Sequence, residues 1–458
     1  MFEEQKTTRP GVLSDRRNEW LVGLPVFLLM LLKLAGGGWL LSLGFSHVSD
    51  DDYARIVIAQ KWVARPTLDP SGTSWLPFPF WIMGGLMMLA DRTLQVARIV
   101  SIGIGTIAPL LIYGALRARH FSNSLAFSAT CIGMLTPWNA WLGVCPVPEG
   151  LTGALLGTAL LLIDRKQNEK WVATCLLIAS LSRYEAWPLC LLFAILHIPA
   201  LFRTPTNQSA NQQHTALCIL LSLSGPLSWI AWNAYTHTDP FHFLHRVTMY
   251  RQLHTSLSPV SENFFLYPQA LWQEGSWLLL WGATGIPALA VSSFRKRWIP
   301  PLITSLAWLF ALSIAEARDQ APTHHPIRPL IPLFWVLAAF GADGLQSGLQ
   351  ILPRFSSRGM LRTVSISTAI LLYGLASLKE WQSYPGATPS EDREHQIQHG
   401  YALRGRQKGA PLLITPCFHE HFALLAAYGA PEEAVVNPPS YQHPPSGAHE
   451  ACPQVISP

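Results

Sequence analysis

The chain has 458 residues, of which 50% are hydrophobic and 13% are charged. Soluble proteins carry about 25% charged residues, so this composition excludes a water-soluble globular protein and predicts a chain embedded in lipid. The formal net charge of +5 comes from short basic clusters between apolar segments and not from one basic face, which argues against a nucleic-acid partner.

Apolar segments with lengths close to that needed to cross a bilayer recur up to residue 378. The first, 20–43, is longer than the core of a signal peptide and is followed by no small-residue cleavage site, so it is expected to remain as an anchoring helix. The candidate segments in chain order are 20–43, 77–90, 95–116, 124–138, 147–163, 171–183, 186–201, 215–235, 277–291, 299–315, 327–345 and 362–378.

Five basic clusters predict the orientation of these segments, because cytoplasmic loops hold an excess of Lys and Arg. The clusters are Arg16–Arg17, Arg117 with Arg119, Arg165 with Lys166 and Lys170, Arg295–Arg297, and Arg354 with Arg358. All five clusters lie on the same side of the membrane only if segment 77–90 stays at the membrane interface. As a helix this segment is about 21 Å long, which is short for a transmembrane span. The sequence thus predicts an all-α polytopic membrane protein of about 11 transmembrane helices, with a cytoplasmic N-terminus at 1–19 and juxtamembrane helices in an outside loop at 44–94.

After the transmembrane region, 20–378, the chain becomes polar and contains many Pro and His residues. Residues 379–458 are expected to form a small extracytoplasmic domain or tail. Within it, Pro411–Thr415 favours a strand and Phe422–Tyr428 favours a helix.

The seven cysteines are scattered, and no metal-binding spacing is evident among them. Cys417 and Cys452 lie in the polar tail, where a disulfide between them is expected as often as not. Those inside apolar segments are expected to act as small hydrophobic residues. They are Cys131, Cys175, Cys190 and Cys218.

The expected outside loop contains three consecutive carboxylates, Asp50, Asp51 and Asp52, soon after the first span. These groups repel one another unless a cation or hydrogen-bond donors offset their charge, which favours a site. A solvated helix start is the alternative, because Asp is common at N-caps and in first turns. Both interpretations hold if one Asp caps the helix while another faces a substrate.

Other candidates are ionisable residues near the outer ends of predicted spans. Asp69 precedes a proline and is more typical of a turn than of a catalytic site. Glu149, at the start of its span, is either a partner of the helix dipole or a site carboxylate. Arg183, Tyr184 and Glu185 fall where two short apolar segments meet, and the Arg and Glu form either a functional group or a mutually neutralising pair.

A last polar motif, His324, His325 and Arg328, lies at the expected outer end of a later span. Arginine with imidazole donors suits a phosphate group. Adjacent histidines lack the i, i+4 spacing of a helical metal site, so zinc is the minor interpretation here.

The order of these motifs resembles the GT-C superfamily of membrane glycosyltransferases, which includes protein mannosyltransferases and lipid A aminoarabinose transferases. Asp51 and Asp52 resemble the acidic motif of its first outside loop, and Trp75–Pro79 resembles its Pro-rich segment. Arg183–Glu185 resembles the basic residue that these enzymes place between two short helices. The resemblance covers about residues 20–345.

The resemblance implies a GT-C-like bundle that transfers a sugar from a polyprenyl-phosphate donor to a hydroxyl of a lipid, glycan or protein acceptor at the outer face, with inversion. The donor's lipid tail would lie between helices, and the residues of the motifs above would bind the substrate. Asp51 would be the base, with Asp52 beside it. Arg183, Arg328 and His325 would stabilise the departing phosphate.

Two points stay open at this stage. The Pro-rich segment lacks the cation of the usual His-Pro-Pro or Lys-Pro-Pro, for which His324, His325 or Arg328 would compensate. A divalent cation beside Asp51 and Asp52 is used by some members of the family and not by others.

The alternative function is a transporter or flippase of lipid-linked sugars, although such proteins more often have repeated halves, and no internal repeat is evident.

Overall fold

The computed structural model describes residues 12–202, 209–254, 259–319, 325–351, 368, 373–385, 392–404, 412–415, 419–436 and 456–457. The helices in these ranges are α1 Val12–Ser42, α2 Asp51–Ala64, α3 Phe78–Leu89, α4 Leu94–Ala118, α5 Asn123–Leu135, α6 Pro137–Leu142, α7 Glu149–Leu162, α8 Glu169–Ser180, α9 Trp187–Leu201, α10 Ser209–His237, α11 His242–His254, α12 Val260–Glu274, α13 Ser276–Ala283, α14 Ser292–Asp319, α15 Ile331–Ile351, α16 373–381, α17 Glu394–Arg404 and α18 His421–Tyr428. Short 3₁₀ helices cover Lys166–Asn168, Tyr184–Ala186, Pro287–Ala290, Arg328–Leu330 and Pro431–Glu433.

Six of the described helices are long and apolar enough to cross a membrane. They are Gly23–Ser42, Leu94–Ala118, Tyr184–Leu201, Gln212–His237, Ser292–Arg318 and Arg328–Gly348. Shorter apolar helices accompany them at Phe78–Leu89, Asn123–Leu135, Glu149–Leu162 and Ser276–Ala290. The predicted all-α membrane fold is confirmed. The count of about 11 spans stays a prediction, because most of 362–378 lies outside the described residues.

The centre of the bundle is α15, which packs against α5, α7 and α13. Its Trp335 is 1% exposed and fits against the backbone at Gly133 and Gly157, where a Cβ atom would meet the indole. Small residues allow helices to approach closely in lipid, where packing and not water exclusion drives association. The two glycines therefore make room for the largest buried ring of α15.

Opposite ends of the bundle can be identified from α7. Asp164 follows the C-terminal end of α7 and pairs with Arg119, which follows α4, at 2.8 Å. Arg119 also donates to the carbonyl of Arg297 in α14, and Arg297 pairs with Asp343 at 2.7 Å. We call these four residues the Arg119 cluster. Three of the basic clusters of the sequence therefore meet at one end of the bundle, as the charge rule predicts.

Helices α2 and α3 lie together at the other end. Ser49, just after α1, accepts a hydrogen bond from Arg328 at 3.0 Å. Helix α4 has 25 residues, or about 37 Å, and ends at the Arg119 cluster, so it begins near the end where α1 finishes. Thr93 caps it by accepting from the Val96 amide at 3.0 Å. The segment between α1 and α4, with its short Pro-initiated α3, therefore returns without crossing the bundle.

The chain beyond α16 forms a small unit that packs on α2. Its strands are β1 Leu412–Ile414, β2 Ala434–Val436 and β3 Ile456–Ser457, ordered β2-β1-β3, with β1 parallel to β2 and antiparallel to β3. The strand and the helix favoured by the sequence of this region are both present, as β1 and α18. Cys417 and Cys452 lie outside the described residues.

Hydrophobic and polar contacts fix this unit to α2. Tyr53 and Ile56 of α2 share a buried cluster with Leu412 and Leu424. Gln60 donates from Nε2 to the carbonyls of Arg92 and Ala426, at 2.9 Å each. Three ion pairs surround this contact, Asp50–Arg393 at 2.7 Å, Arg92–Glu432 at 2.6 Å and Asp91–Arg404 at 2.8 Å. The C-terminal unit therefore holds the helix that carries the acidic motif.

Candidate functional site

The three consecutive aspartates have separate surroundings. Asp50 is the N-cap residue of α2 and forms a two-pronged ion pair with Arg393, at 2.7 and 2.8 Å. Asp52 accepts a hydrogen bond from the Val48 amide at 2.9 Å, so its carboxylate closes the turn that precedes α2. Asp51 is only partly buried. The structure thus assigns structural contacts to Asp50 and Asp52 and leaves Asp51 as the carboxylate of the three that reaches solvent without a hydrogen-bond partner in the described chain.

Asp52 is held in an apolar setting at the base of the loop. It is 1% exposed, and its Oδ1 has no nitrogen or oxygen donor among the described residues. Burial raises the pKa of Asp52 to about 6, while the nearby Arg328 charge and the Val48 hydrogen bond act in the opposite direction. The Cys145 thiol is its neighbour. Asp52 therefore takes up a proton at a higher pH than a solvent-exposed aspartate does.

Arg55, one turn after Asp51 on the same face of α2, is a residue that the sequence interpretation did not select. It is 7% exposed, and its guanidinium lies 4.3 Å from the ring centroid of Trp75 and 5.8 Å from that of Phe80. It makes no hydrogen bond within the described part of the chain, and its Nε is fully buried. Burial lowers the pKa of Arg55, although the Glu149 and Asp51 carboxylates offset this effect.

Glu149 lies at the centre of the charged residues at this end of the bundle. It is 3% exposed, and its Oε1 lies 2.6 Å from Arg183 Nη1 and 3.7 Å from Arg328 Nη1. Its Oε2 is buried without a hydrogen-bond partner among the described residues. Arg55 also interacts with this carboxylate electrostatically. We call Arg55, Glu149, Arg183 and Arg328 the Arg183 cluster.

Arg183 binds two carboxylates and not one. It forms a bidentate pair with Glu185, through Nε at 3.0 Å and through Nη2, in addition to its bond with Glu149. The sequence offered a choice between a functional arginine and a pair with Glu185, and the structure adds Glu149 to that pair. Two of the five guanidinium N–H groups remain for another ligand.

Arg328 has more donor capacity left than Arg183. It is 8% exposed, donates from Nη2 to Ser49 at 3.0 Å, and has a buried Nε without a partner among the described residues. His325 lies one turn earlier, with its ring 5.3 Å from that of Trp138, and Trp138 donates to Glu274 at 2.6 Å. His324 lies outside the described residues.

The remaining candidates, Tyr184 and Asp69, have local structural contacts. The Tyr184 hydroxyl donates to the Ser74 carbonyl at 2.7 Å and accepts from Trp229 at 3.0 Å, so it joins the loop before α3 to α10. Asp69 Oδ1 accepts from the amides of Ser71 and Gly72 at 3.1 and 3.0 Å, which is the turn favoured by its sequence. A role for either residue in substrate binding stays a prediction.

The arrangement offers guanidinium donors to an anion next to the Asp51 carboxyl group. Arg55, Arg183 and Arg328 face Glu149 and Glu185, so guanidinium donors exceed the carboxylate acceptors available to them. Buried arginines with donors that lack acceptors are costly unless a ligand completes them. Planar guanidinium groups match the oxygens of a phosphate, and Asp51 lies at the edge of this set.

Comparison with known proteins supports the fold. No protein-family profile matches the chain, and no curated protein sequence matches it. Among solved structures, ArnT from Cupriavidus metallidurans in the apo state is 14% identical with a TM-score of 0.54, over 88% of this chain and 84% of that chain. The same enzyme bound to undecaprenyl phosphate is 14% identical with a TM-score of 0.55, over 90% of this chain and 89% of that chain.

A third solved structure, the oligosaccharyltransferase of Archaeoglobus fulgidus in complex with Zn and sulfate, is 13% identical with a TM-score of 0.51. It is matched over 89% of this chain and 62% of that chain. Both neighbouring enzymes are GT-C superfamily members. The chain therefore has the fold of the GT-C enzymes that its motif order resembles.

Proposed function

We propose that this protein is a membrane glycosyltransferase that moves a sugar from a polyprenyl-phosphate donor to an acceptor hydroxyl, at the end of the bundle that carries the Arg183 cluster. The observation that supports this proposal most directly is the convergence of Arg55, Arg183 and Arg328 beside Asp51. The GT-C fold and the undecaprenyl phosphate bound to one structural neighbour agree with it. The positive-inside rule supports a location of this end outside the cytoplasm.

The donor phosphate would lie against the spare donors of Arg55 and Arg328, with Arg183 behind them. The Pro-rich segment of this chain has no cation of its own, but its Trp75 ring lies against Arg55. We infer that Arg55 supplies the positive charge expected there, in preference to the histidines of the later loop. A divalent cation beside Asp51 and Asp52 stays an expectation of the family resemblance.

The reaction then needs one base and one stabilised leaving group. Asp51 would accept the proton of the acceptor hydroxyl while its oxygen attacks the anomeric carbon. The bond between that carbon and the phosphate oxygen breaks, and polyprenyl phosphate leaves with the electron pair. Guanidinium groups already in place around that oxygen lower the barrier, because they need no reorganisation as the negative charge develops. Attack opposite the leaving group gives inversion.

The first experiment compares Asp51→Asn with Asp91→Asn, a control at an exposed aspartate that pairs with Arg404. Cells that produce wild type, each variant or no protein would be analysed by mass spectrometry of their glycolipids and glycoproteins. We expect a sugar-modified product that depends on the wild type, is retained with Asp91→Asn and falls by at least about a hundredfold with Asp51→Asn. Full activity of Asp51→Asn would contradict the general-base role.

A second measurement addresses the alternative of a transporter or flippase. Purified protein in detergent would be mixed with undecaprenyl phosphate, and its Tm measured with and without this lipid. We expect the lipid to raise the Tm of the wild type and not that of an Arg55→Met, Arg328→Met variant. Movement of a lipid-linked sugar across vesicles without any transferred product would contradict the enzyme and support the transporter.

A further inference from the structure

A second group of ionisable residues lies at the opposite end of α8 from Arg183. It consists of Glu169 at the N-terminal end of α8, and His214 and Cys218 on α10. One ligand atom from each residue lies within 4.8 Å of the others. Because α8 has 12 residues, or about 18 Å, this group is far from the proposed sugar-transfer site.

The distances within the group are close to those between ligands of one metal ion. His214 Nδ1 lies 3.4 Å from Glu169 Oε2 and 3.9 Å from Cys218 Sγ. Two ligands at normal zinc distances and a tetrahedral angle are separated by about 3.3–3.8 Å. His214 and Cys218 are spaced i, i+4 on α10, which places both side chains on one helix face. A small closure around an ion would bring all three atoms to bonding distance.

A fourth residue, His197 on α9, provides independent support. Its Nδ1 lies 2.9 Å from the Phe193 carbonyl oxygen, which can only accept, so Nδ1 carries the hydrogen. Its Nε2 faces Glu169 Oε1 at 3.8 Å, so the other ring nitrogen lies beside the group. A backbone carbonyl that fixes the tautomer of a histidine is also the usual arrangement behind a metal ligand.

The surroundings of the group fit a bound ion with access to solvent. Glu169 is 7% exposed and Cys218 is 1% exposed, whereas the His214 side chain is 34% exposed and offers an entry path. Thr215 Oγ1 donates to Glu169 Oε2 at 3.2 Å and so orients the carboxylate.

We propose that Glu169, His214 and Cys218 bind a transition-metal ion of the Zn²⁺ class, with His197 completing or orienting the site. Thiolate, imidazole and carboxylate together favour Zn²⁺ over the hard ions Mg²⁺ and Ca²⁺. Binding displaces the thiol proton to solvent and involves no redox change. The ion would link the N-terminal end of α8 to α9 and α10, at the end of these helices remote from Arg183.

The test is a spectrum of full-length protein in detergent, stripped with a chelator and titrated with Co²⁺. We expect visible bands typical of a tetrahedral site and an intense ultraviolet charge-transfer band that requires a thiolate ligand. Cys218→Ser should lose the charge-transfer band, while Cys175→Ser, a control at a cysteine buried in α8, should keep it. Zn²⁺ should displace Co²⁺, and Glu169→Gln should weaken Zn²⁺ binding by at least about tenfold.

Two results would overturn the proposal. One is folded wild-type protein that shows no charge-transfer band on addition of Co²⁺. The other is a band that persists in Cys218→Ser, which would assign it to another cysteine. If Cys218→Ser does not fold, His214→Ala replaces it, and retention of wild-type Zn²⁺ affinity in that variant contradicts the site. These readouts do not depend on sugar transfer, so the site and the proposed enzyme function stand or fall separately.

Discussion

The two clusters of buried charge at opposite ends of the bundle differ in the hydrogen-bond acceptors that their guanidinium groups reach. In the Arg119 cluster, Arg119 donates to Asp164 and to the carbonyls of Leu161 and Arg297, and its guanidinium lies 5.2 Å from the Trp298 ring centroid. In the Arg183 cluster, Arg55 makes no hydrogen bond within the described part of the chain, although it too is buried. Buried charge alone therefore does not identify a site. A buried guanidinium without any hydrogen bond does, because Arg119 also leaves its Nε without a partner among the described residues but donates through both Nη atoms.

The largest expected effects come from removing one arginine from each cluster. Arg119→Met leaves Asp164 and two backbone carbonyls without their donor, so we expect a loss of about 3 kcal/mol in the free energy of unfolding, measured by denaturation in detergent. Activity per folded molecule should stay near that of the wild type. Arg55→Met should instead keep the stability and lose at least about a hundredfold in transfer, because a preorganised donor is missing.

Either variant can contradict the assignment of one cluster to structure and the other to function. If Arg55→Met is unstable but active once folded, the Arg183 cluster is a structural network like the other one. If Arg119→Met is stable and inactive, the site extends to the end of the bundle that we regard as structural. Circular dichroism of both variants identifies the folded fraction to which activity is normalised.

A smaller loss of stability is expected when Arg183→Met is combined with Glu185→Gln. If Glu185 were the whole partner of Arg183, the second change would restore the fold. Because Glu149 is then left with Arg328, at 3.7 Å, and the charge of Arg55, we expect the double variant to remain about 2 kcal/mol less stable than the wild type. Adding Glu149→Gln should recover most of that loss. Full recovery in the double variant would mean that Glu149 does not depend on Arg183.

The sequence predicted more of the fold than of the site, for a physical reason. The apolar composition of segments such as 95–116 and 215–235 is enough to predict that they lie in lipid. The basic clusters predict which ends of the segments lie on the same side of the membrane. That assignment requires the segment of α3 to return without crossing. Asp51, Glu149 and Arg183 were found because each is ionisable next to an apolar segment. These signals are local in the chain.

Arg55 and the Glu169 group were missed because their meaning depends on contacts that are distant in sequence. Arg55 appears as an ordinary helical residue until Trp75 is placed against it. Cys218 appears as one more small residue of an apolar helix until Glu169 is brought beside it. The i, i+4 pairs Asp51–Arg55 and His214–Cys218 were the available signals, and neither has enough specificity by itself.

Asp52, which lies near Arg328 of the Arg183 cluster, should make the stability of the protein depend on pH. The folded protein holds its proton more tightly than the unfolded chain, because burial raises the pKa from 3.8 to about 6. Ionisation of Asp52 therefore lowers stability, by an amount that is absent below about pH 3.8 and complete above about pH 6. We expect the Tm of Asp52→Asn to equal that of the wild type at pH 4 and to exceed it by about 2 °C at pH 7.5. A pH-independent difference would contradict this account.

The smallest effect is expected at the contact that ties the C-terminal unit to α2. Arg393 and Asp50 form a two-pronged pair at the first residue before the helix that carries Asp51 and Arg55. Arg393→Gln should lower kcat about threefold with little change in KM, because a displaced α2 misplaces the base and not the donor lipid. Asp50→Asn should do the same, and the double variant should be no worse than either single one, which corresponds to a coupling energy of about 0.6 kcal/mol. Arg393→Lys should recover part of the rate, since it keeps the charge but not the two parallel bonds.

If the two single changes add independently, the ion pair does not position α2, and the C-terminal unit acts through the apolar contact of Tyr53 and Ile56 with Leu412 and Leu424.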